Sequence, residues 1–284
     1  MIAGVSAGCH GEPRAVFTRL GEARLAAADL RIQFNKTVDA SNRAVMADTD
    51  VASVAFAREA QQTTATVQSD TDKLGGLLAA LGFPNEIRLY QEFAGHWSAY
   101  GKLDRTVLEL AVENTNLKAQ SLSFGPAREA ADAVRDLLAT VARAVPAKNR
   151  CRVDALVAQA VLGVREIEVL HAPHIAEPAD AAMARMEKQM ADLEVSTRGA
   201  LRALSELAPA GANASGGPAL ASALAAFDRF TDISKKIVSL SRRNTNVRSL
   251  ALSLTEKPPL VAACDGSLRA LEDALSNEES TATR

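Results

Sequence analysis

The sequence has 284 residues, 48% of them hydrophobic, which is enough for about two domains and excludes a globally disordered chain. Its 32 basic and 34 acidic residues leave a net charge of −2, so it is not expected to hold nucleic acid by bulk attraction to phosphate. Aromatic residues are only 4%, with 16 glycines, 10 prolines and abundant alanine, a balance that favours helix over strand and an all-α fold.

The first 13 residues read as a flexible N-terminus or the remnant of a signal. Ala7-Gly8-Cys9 has the small-small-Cys pattern that ends a lipoprotein signal, which makes Cys9 a lipidation candidate; the plainer alternative is a chance cysteine in a floppy end. Cys9, Cys151 and Cys264 have no CxxC or zinc spacing and are too few for a disulfide framework. No apolar run approaches the ~18–20 residues needed to span a bilayer.

Beyond residue 14 the chain repeats itself. Asn114-Thr115-Asn116, between Leu110 and Lys118, is matched by Asn244-Thr245-Asn246, between Leu240 and Arg248, at an offset of 130 residues. The same offset pairs Asp50 with Asp180, Tyr100 with Phe230, Leu103 with Ile233 and Leu138 with Leu268. Two copies of one unit are the economical reading. Breaks fall near 47–49, at Gly82-Phe83-Pro84-Asn85 and at Gly125-Pro126 in the first copy, and Pro146 separates the copies. The second copy breaks at Glu177-Pro178, through 209–218 and at Pro258-Pro259.

Between breaks, apolar residues recur at alternating steps of three and four, the pattern of helices in an up-down bundle. The third helix of the first copy runs through Tyr100, Leu103, Val107, Leu110, Asn114 and Leu117. The expectation is about eight helices in two tandem antiparallel four-helix bundles, 14–146 and 147–278, with a polar tail at 279–284. Whether the bundles stack end to end or lie side by side stays open.

Polar residues interrupt the apolar seams. An Asn-Thr-Asn triplet inside a helix costs roughly 2 kcal/mol against three alanines, and a buried amide without partners ~1–3 kcal/mol more. Asn114 and Asn244 therefore read either as a register-fixing polar layer or, with Lys118 and Arg248 one turn on, as the floor of a small-ligand pocket. His171 and His174 face inward near the turn before Pro178, where the first copy has Ser41 and Ala44. They are read as histidines with local hydrogen bonds or as part of the same pocket. Metal or haem ligation, with a nearby Met, is a third possibility. On the residues alone the ligand-binding candidates are Asn114, Lys118, Ser41, His171, His174, Asn244 and Arg248. His96 joins an aromatic seam with Phe93, Trp97 and Tyr100. No catalytic motif or cofactor fingerprint is present, and Cys151 has no general base beside it in sequence, so the chain is not expected to be an enzyme or to need a cofactor.

The segment 170–178 with the Met-rich helix after it, the segment 242–254, and their first-copy counterparts resemble the extracytoplasmic four-helix-bundle sensor domain of methyl-accepting chemotaxis receptors. The resemblance covers most of the chain from about residue 25, but not those receptors' transmembrane and signalling parts. It implies a periplasmic helical module, with a cytoplasmic one as the alternative. Such a module binds a small molecule, anions among the candidates, pairs as a homodimer, and relays a packing change to a signalling protein. On this reading the membrane is reached only through a lipid on Cys9. The competing expectation is a scaffold whose helical faces bind another protein.

Overall fold

The computed structural model describes residues 12–207 and 216–282, so Cys9 lies outside the described residues. Among those residues there is no strand. The helices are α1 (Glu12–Met46), α2 (Asp50–Leu81), α3 (Pro84–Glu113), α4 (Thr115–Leu122), α5 (Arg128–Ala144), α6 (Arg150–Ala176), α7 (Asp180–Leu207), α8 (Gly216–Arg243), α9 (Thr245–Thr255) and α10 (Lys257–Ala282). The expected count of about eight is not kept, because each third helix is interrupted at its asparagine and resumes one residue later.

Local chemistry sets the boundaries. Thr49 caps α2 by accepting the Ala52 N–H at 3.2 Å, and Gly82, at φ 74°, closes the same helix with its own N–H on the Leu78 carbonyl. That positive φ suits a residue without a Cβ, and Pro84 then opens α3 where its missing N–H is harmless. Gly125-Pro126, expected to end a helix, does not. A π-helical turn over Ser123–Ala127 carries Pro126 inside it and leads directly into α5. The widened turn makes room where a proline ring would otherwise meet the preceding turn. The break at Pro146 is real: Val145 is extended, with φ −85° and ψ 140°, so α5 and α6 are not one kinked rod.

The chain divides into two compact units that are not the contiguous 14–146 and 147–278 of the repeat. Unit 1 comprises Met1–Val112 with Ser249–Arg284, and unit 2 is Glu113–Arg248. The core of unit 1 joins Leu30 and Phe34 of α1, Val67 and Leu74 of α2, Phe93, Trp97 and Tyr100 of α3, and Leu268, Leu271 and Leu275 of α10. That of unit 2 joins Val134 and Leu138 of α5, Val164 and Ile167 of α6, Leu201 and Leu204 of α7, and Phe227 and Phe230 of α8. Each unit thus takes its fourth helix from the other repeat. The chain passes into unit 2 just before the break at Asn114 and leaves it just after the break at Asn244, so each repeat's last helix leaves the company of its first three.

Close packing in unit 2 depends on Gly163 in α6. A Cβ there would sit 2.2 Å from Thr197 Oγ1 of α7, so only glycine admits the threonine. No described helix is long and apolar enough to cross a membrane.

Candidate functional site

Asn114 and Asn244 are the two non-glycine residues with positive φ among the described residues, at 52° and 54°. Asparagine tolerates this left-handed conformation better than other side chains. They are therefore not seam residues of continuous helices, as the spacing suggested, but the kink points themselves. Around them the two triplets, both within unit 2, lock reciprocally. Thr115 N–H donates to Thr245 Oγ1 at 3.1 Å and Thr245 N–H to Thr115 Oγ1 at 3.2 Å. The Asn116 and Asn246 backbone N–H groups each donate to the other's side-chain oxygen at 3.1 Å. Asn246 Nδ2 donates to Asn114 Oδ1 at 2.9 Å and Asn116 Nδ2 to Asn244 Oδ1 at 2.8 Å, while Asn244 Nδ2 reaches the Glu177 carbonyl at 2.9 Å. These contacts give the backbone N–H groups just after each kink side-chain acceptors. The amides are consumed in this knot, which is the polar-layer reading of the triplets. Lys118 is exposed, with Nζ on the Glu113 carbonyl at 2.8 Å, and Arg248 is exposed too.

The histidines lie deeper in unit 2. His171 is fully buried between two hydroxyls, Ser234 at 3.1 Å from Nε2 and Ser123 at 3.4 Å from Nδ1, with its ring 6.0 Å from that of Phe230. It therefore sits level with Phe230–Ser234 of α8. Burial, with a smaller effect of His174, pushes its pKa down to about 4, so the ring is neutral at ordinary pH. His174, also fully buried, contacts Ser241 Oγ at 2.8 Å through Nδ1 and Glu187 Oε1 at 2.9 Å through Nε2. The Arg242 guanidinium grips both oxygens of Glu187, at 2.5 and 3.0 Å, and holds that carboxyl below the usual range despite partial burial. Ser241, His174 and Glu187 have the connectivity of a hydrolytic triad. The serine, however, is fully buried and its hydroxyl also lies 2.8 Å from the His174 carbonyl, so it offers no nucleophile to a substrate. Among the described residues no three His, Cys, Asp or Glu side chains gather to hold a metal ion.

In unit 1 Ser41 takes the place that His171 has in unit 2, and its surroundings were not anticipated. Ser41 Oγ donates to Asp104 Oδ1 at 2.6 Å, and Lys257 Nζ contacts both Ser41 Oγ at 2.6 Å and Asp104 Oδ1 at 2.8 Å. Asp104 and Lys257 are 3% and 2% exposed, so this is a buried ion pair, and the ammonium lies 5.7 Å above the Tyr100 ring. The Tyr100 hydroxyl is buried with no hydrogen-bond partner, and burial next to Asp104 raises its pKa. Applying the offset of 130, the same layer in unit 2 is His171, Ser234 and Ala127. One structural position carries a charged layer in one unit and a neutral one in the other.

The groove between the second and third helices of each unit differs in the same way. In unit 1 a cavity of about 890 Å³ runs between α2 and α3, lined by Gln61, Thr64, Gln68, Trp97, Gly101, Lys102, Asp104 and Arg105 among others. The matching cavity of unit 2, between α7 and α8, is about 340 Å³. Arg198 explains the difference. It reaches across to Asp228 at 2.7 Å and Thr231 at 3.3 Å, pairs with Glu194 at 3.0 Å, and lies 5.0 Å over the Phe227 ring. The unit 1 counterparts are Gln68, Ser98, Gly101, Thr64 and Trp97. Gln68 accepts the Trp97 indole N–H at 3.2 Å and donates to Asp72 at 2.9 Å, and no ion pair spans α2 and α3 among the described residues. The unit 1 groove is therefore unclasped. Of the sequence-derived candidates only Ser41 touches its floor, through Asp104. Comparison of the chain with protein families, characterised proteins and solved structures returns no match.

Proposed function

We propose that this chain is a non-enzymatic, sensor-like helical protein that binds a small molecule in the α2–α3 groove of unit 1 and relays a change in helix packing to a signalling partner. The observation that carries the reading is the contrast between repeats: the arginine clasp that ties α7 to α8 is missing between α2 and α3. There, a larger cavity meets a floor of buried charge and a wall bearing Lys102 and Arg105. Built polar groups beneath an open cleft are what a ligand site needs, and two helices held by few direct contacts can shift when one is occupied. The likeness to chemoreceptor sensor domains supports the same reading, together with a periplasmic setting and a lipid anchor at Cys9. The tandem arrangement of antiparallel bundles is carried over in modified form, with fourth helices exchanged.

The test transfers the clasp. Gln68→Arg, Ser98→Asp and Thr64→Glu together place unit 2's ion pairs in unit 1. In a thermal-shift panel of amino acids, carboxylates and metal ions, a ligand that raises the Tm of the native chain should lose its effect on the clasped variant, with calorimetry giving the affinity. A ligand that shifts both proteins equally places binding elsewhere. A panel with no effect on the native chain favours the scaffold reading, to which the exposed apolar residues of α1 lend weight.

A further inference from the structure

The rim and the floor of the α2–α3 groove differ in chemistry. On the rim Lys102 and Arg105 stand one turn apart on α3, both exposed, and neither joins an ion pair among the described residues. Glu109 follows one turn later without pairing with Arg105, and Asp72 lies at the other end, beside Tyr90, where it takes the Gln68 amide. The floor is a buried acid with an oxygen to spare. Ser41 and Lys257 both act on Asp104 Oδ1, and Oδ2 accepts no hydrogen bond among the described residues. A buried acceptor left unmatched is costly, so the groove lacks a donor at this point. That donor is uncharged: Lys257 already neutralises Asp104, and an ammonium arriving there would meet Lys257, Lys102 and Arg105 for a single carboxylate. Between rim and floor the walls are neutral and polar. Thr64 and Thr71 give their hydroxyl protons to the Ala60 and Val67 carbonyls and so present lone pairs, while the side chains of Gln61 and Ser98 make no hydrogen bond among the described residues. Gly101 leaves a hollow among them, since a Cβ there would meet nothing within 4 Å.

We propose that the groove takes a polyhydroxylated carboxylate, a sugar acid of about hexose size. This rests on the α2–α3 groove being the ligand site and names the class of its ligand. The carboxylate lies on Lys102 and Arg105, where the guanidinium offers it a planar fork of donors. A hydroxyl further along the ligand donates to Asp104 Oδ2 without adding charge to the floor. The remaining hydroxyls, each able to donate once and accept twice, match walls that offer both lone pairs and free donors.

The chain has a single tryptophan, Trp97, and it lines the groove, so its fluorescence reports on this site. The full chain is titrated with gluconate, hexanoate, sorbitol and 6-aminohexanoate, which share one chain length and differ in carboxylate, hydroxyls and ammonium. Gluconate should give a saturable change in emission. Hexanoate, sorbitol and 6-aminohexanoate should each bind at least about tenfold more weakly, the first for want of hydroxyls, the second of the carboxylate, the third through its ammonium. Lys102→Gln with Arg105→Gln should bring gluconate down to the affinity of sorbitol. Gly101→Leu, whose side chain enters open space and leaves the helices as they are, should abolish the response. Hexanoate or sorbitol matching gluconate overturns the proposal. So does tighter binding of 6-aminohexanoate that Gly101→Leu removes, a result that leaves the groove reading standing. Gluconate binding that survives Gly101→Leu overturns both, as does an emission that none of the four compounds changes.

Discussion

Replacement of Asn114 separates a left-handed kink from a polar seam residue. In a continuous helix, alanine is better than glycine by about 1 kcal/mol, and leucine in an apolar seam would be better than asparagine. At φ 52° and ψ 40° the order inverts. A Cβ in this conformation costs about 1–2 kcal/mol unless the side chain compensates, as asparagine's does, and glycine escapes the cost. All three substitutions also remove the acceptor of the Asn246 amide at 2.9 Å, a buried hydrogen bond contributing about 1 kcal/mol. Asn114→Gly should therefore lower stability by about 1 kcal/mol and Asn114→Ala by about 2–3 kcal/mol. Asn114→Leu should cost more again, since its branched side chain cannot share the space of the reciprocal triplets. Urea denaturation followed by far-UV circular dichroism measures all three. If alanine proves as stable as glycine, or leucine stabilises, residue 114 is helical and its left-handed geometry does not set the break between α3 and α4.

Two more predictions concern the layer that differs between units. The His171 pKa is lowered from 6.5 to about 4, so the unfolded chain binds the proton more tightly than the folded one. Stability should be unaffected by this residue above about pH 6.5 and fall as pH drops towards 4, by about 3 kcal/mol in all. His171→Gln should flatten that part of the curve of denaturation midpoint against pH, and an unchanged curve would assign the acid sensitivity elsewhere. In unit 1, Lys257→Met strands the Asp104 carboxylate and should cost about 3–5 kcal/mol, whereas Lys257→Met with Asp104→Leu should recover most of it. Denaturation of the single and double variants gives the coupling, and a double variant no more stable than the single would show that the ion pair does not act as a unit.

The helical class, the repeat and most breaks were legible because they follow from period and punctuation. The inward placement of His171 and His174 was legible too, since their helix shows a regular seam. The phase of the third helices was not. Leu103 and Leu110 stood in the expected seam, but the inner face carries Asp104 and Ala111 instead; in the second copy Ser241 takes the place given to Leu240, and Ser234 is buried beside Ile233, which keeps its place in the core. A reading that assigns polar residues outward loses the very residues that make the floor of the groove. Lys257 was hidden for a further reason: its partners are in the first repeat, 216 and 153 residues away in Ser41 and Asp104, and nothing local announces a buried lysine. Pro126 misled because proline usually ends a helix, and a π turn absorbs it here. The fourth-helix exchange falls beside the asparagines, whose left-handed geometry was not inferred from their spacing.

That exchange orders the way the molecule is made. Everything unit 2 requires is contiguous, from Glu113 to Arg248, whereas unit 1 awaits residues from Ser249 onward. During synthesis α1, α2 and α3 emerge first yet remain without α10 while the whole of the later-encoded unit is translated and can already collapse on itself. The half of the protein nearest the start codon is thus the last to finish, and for that interval the apolar faces of Phe34, Phe93 and Leu74 are the nascent chain's exposed liability.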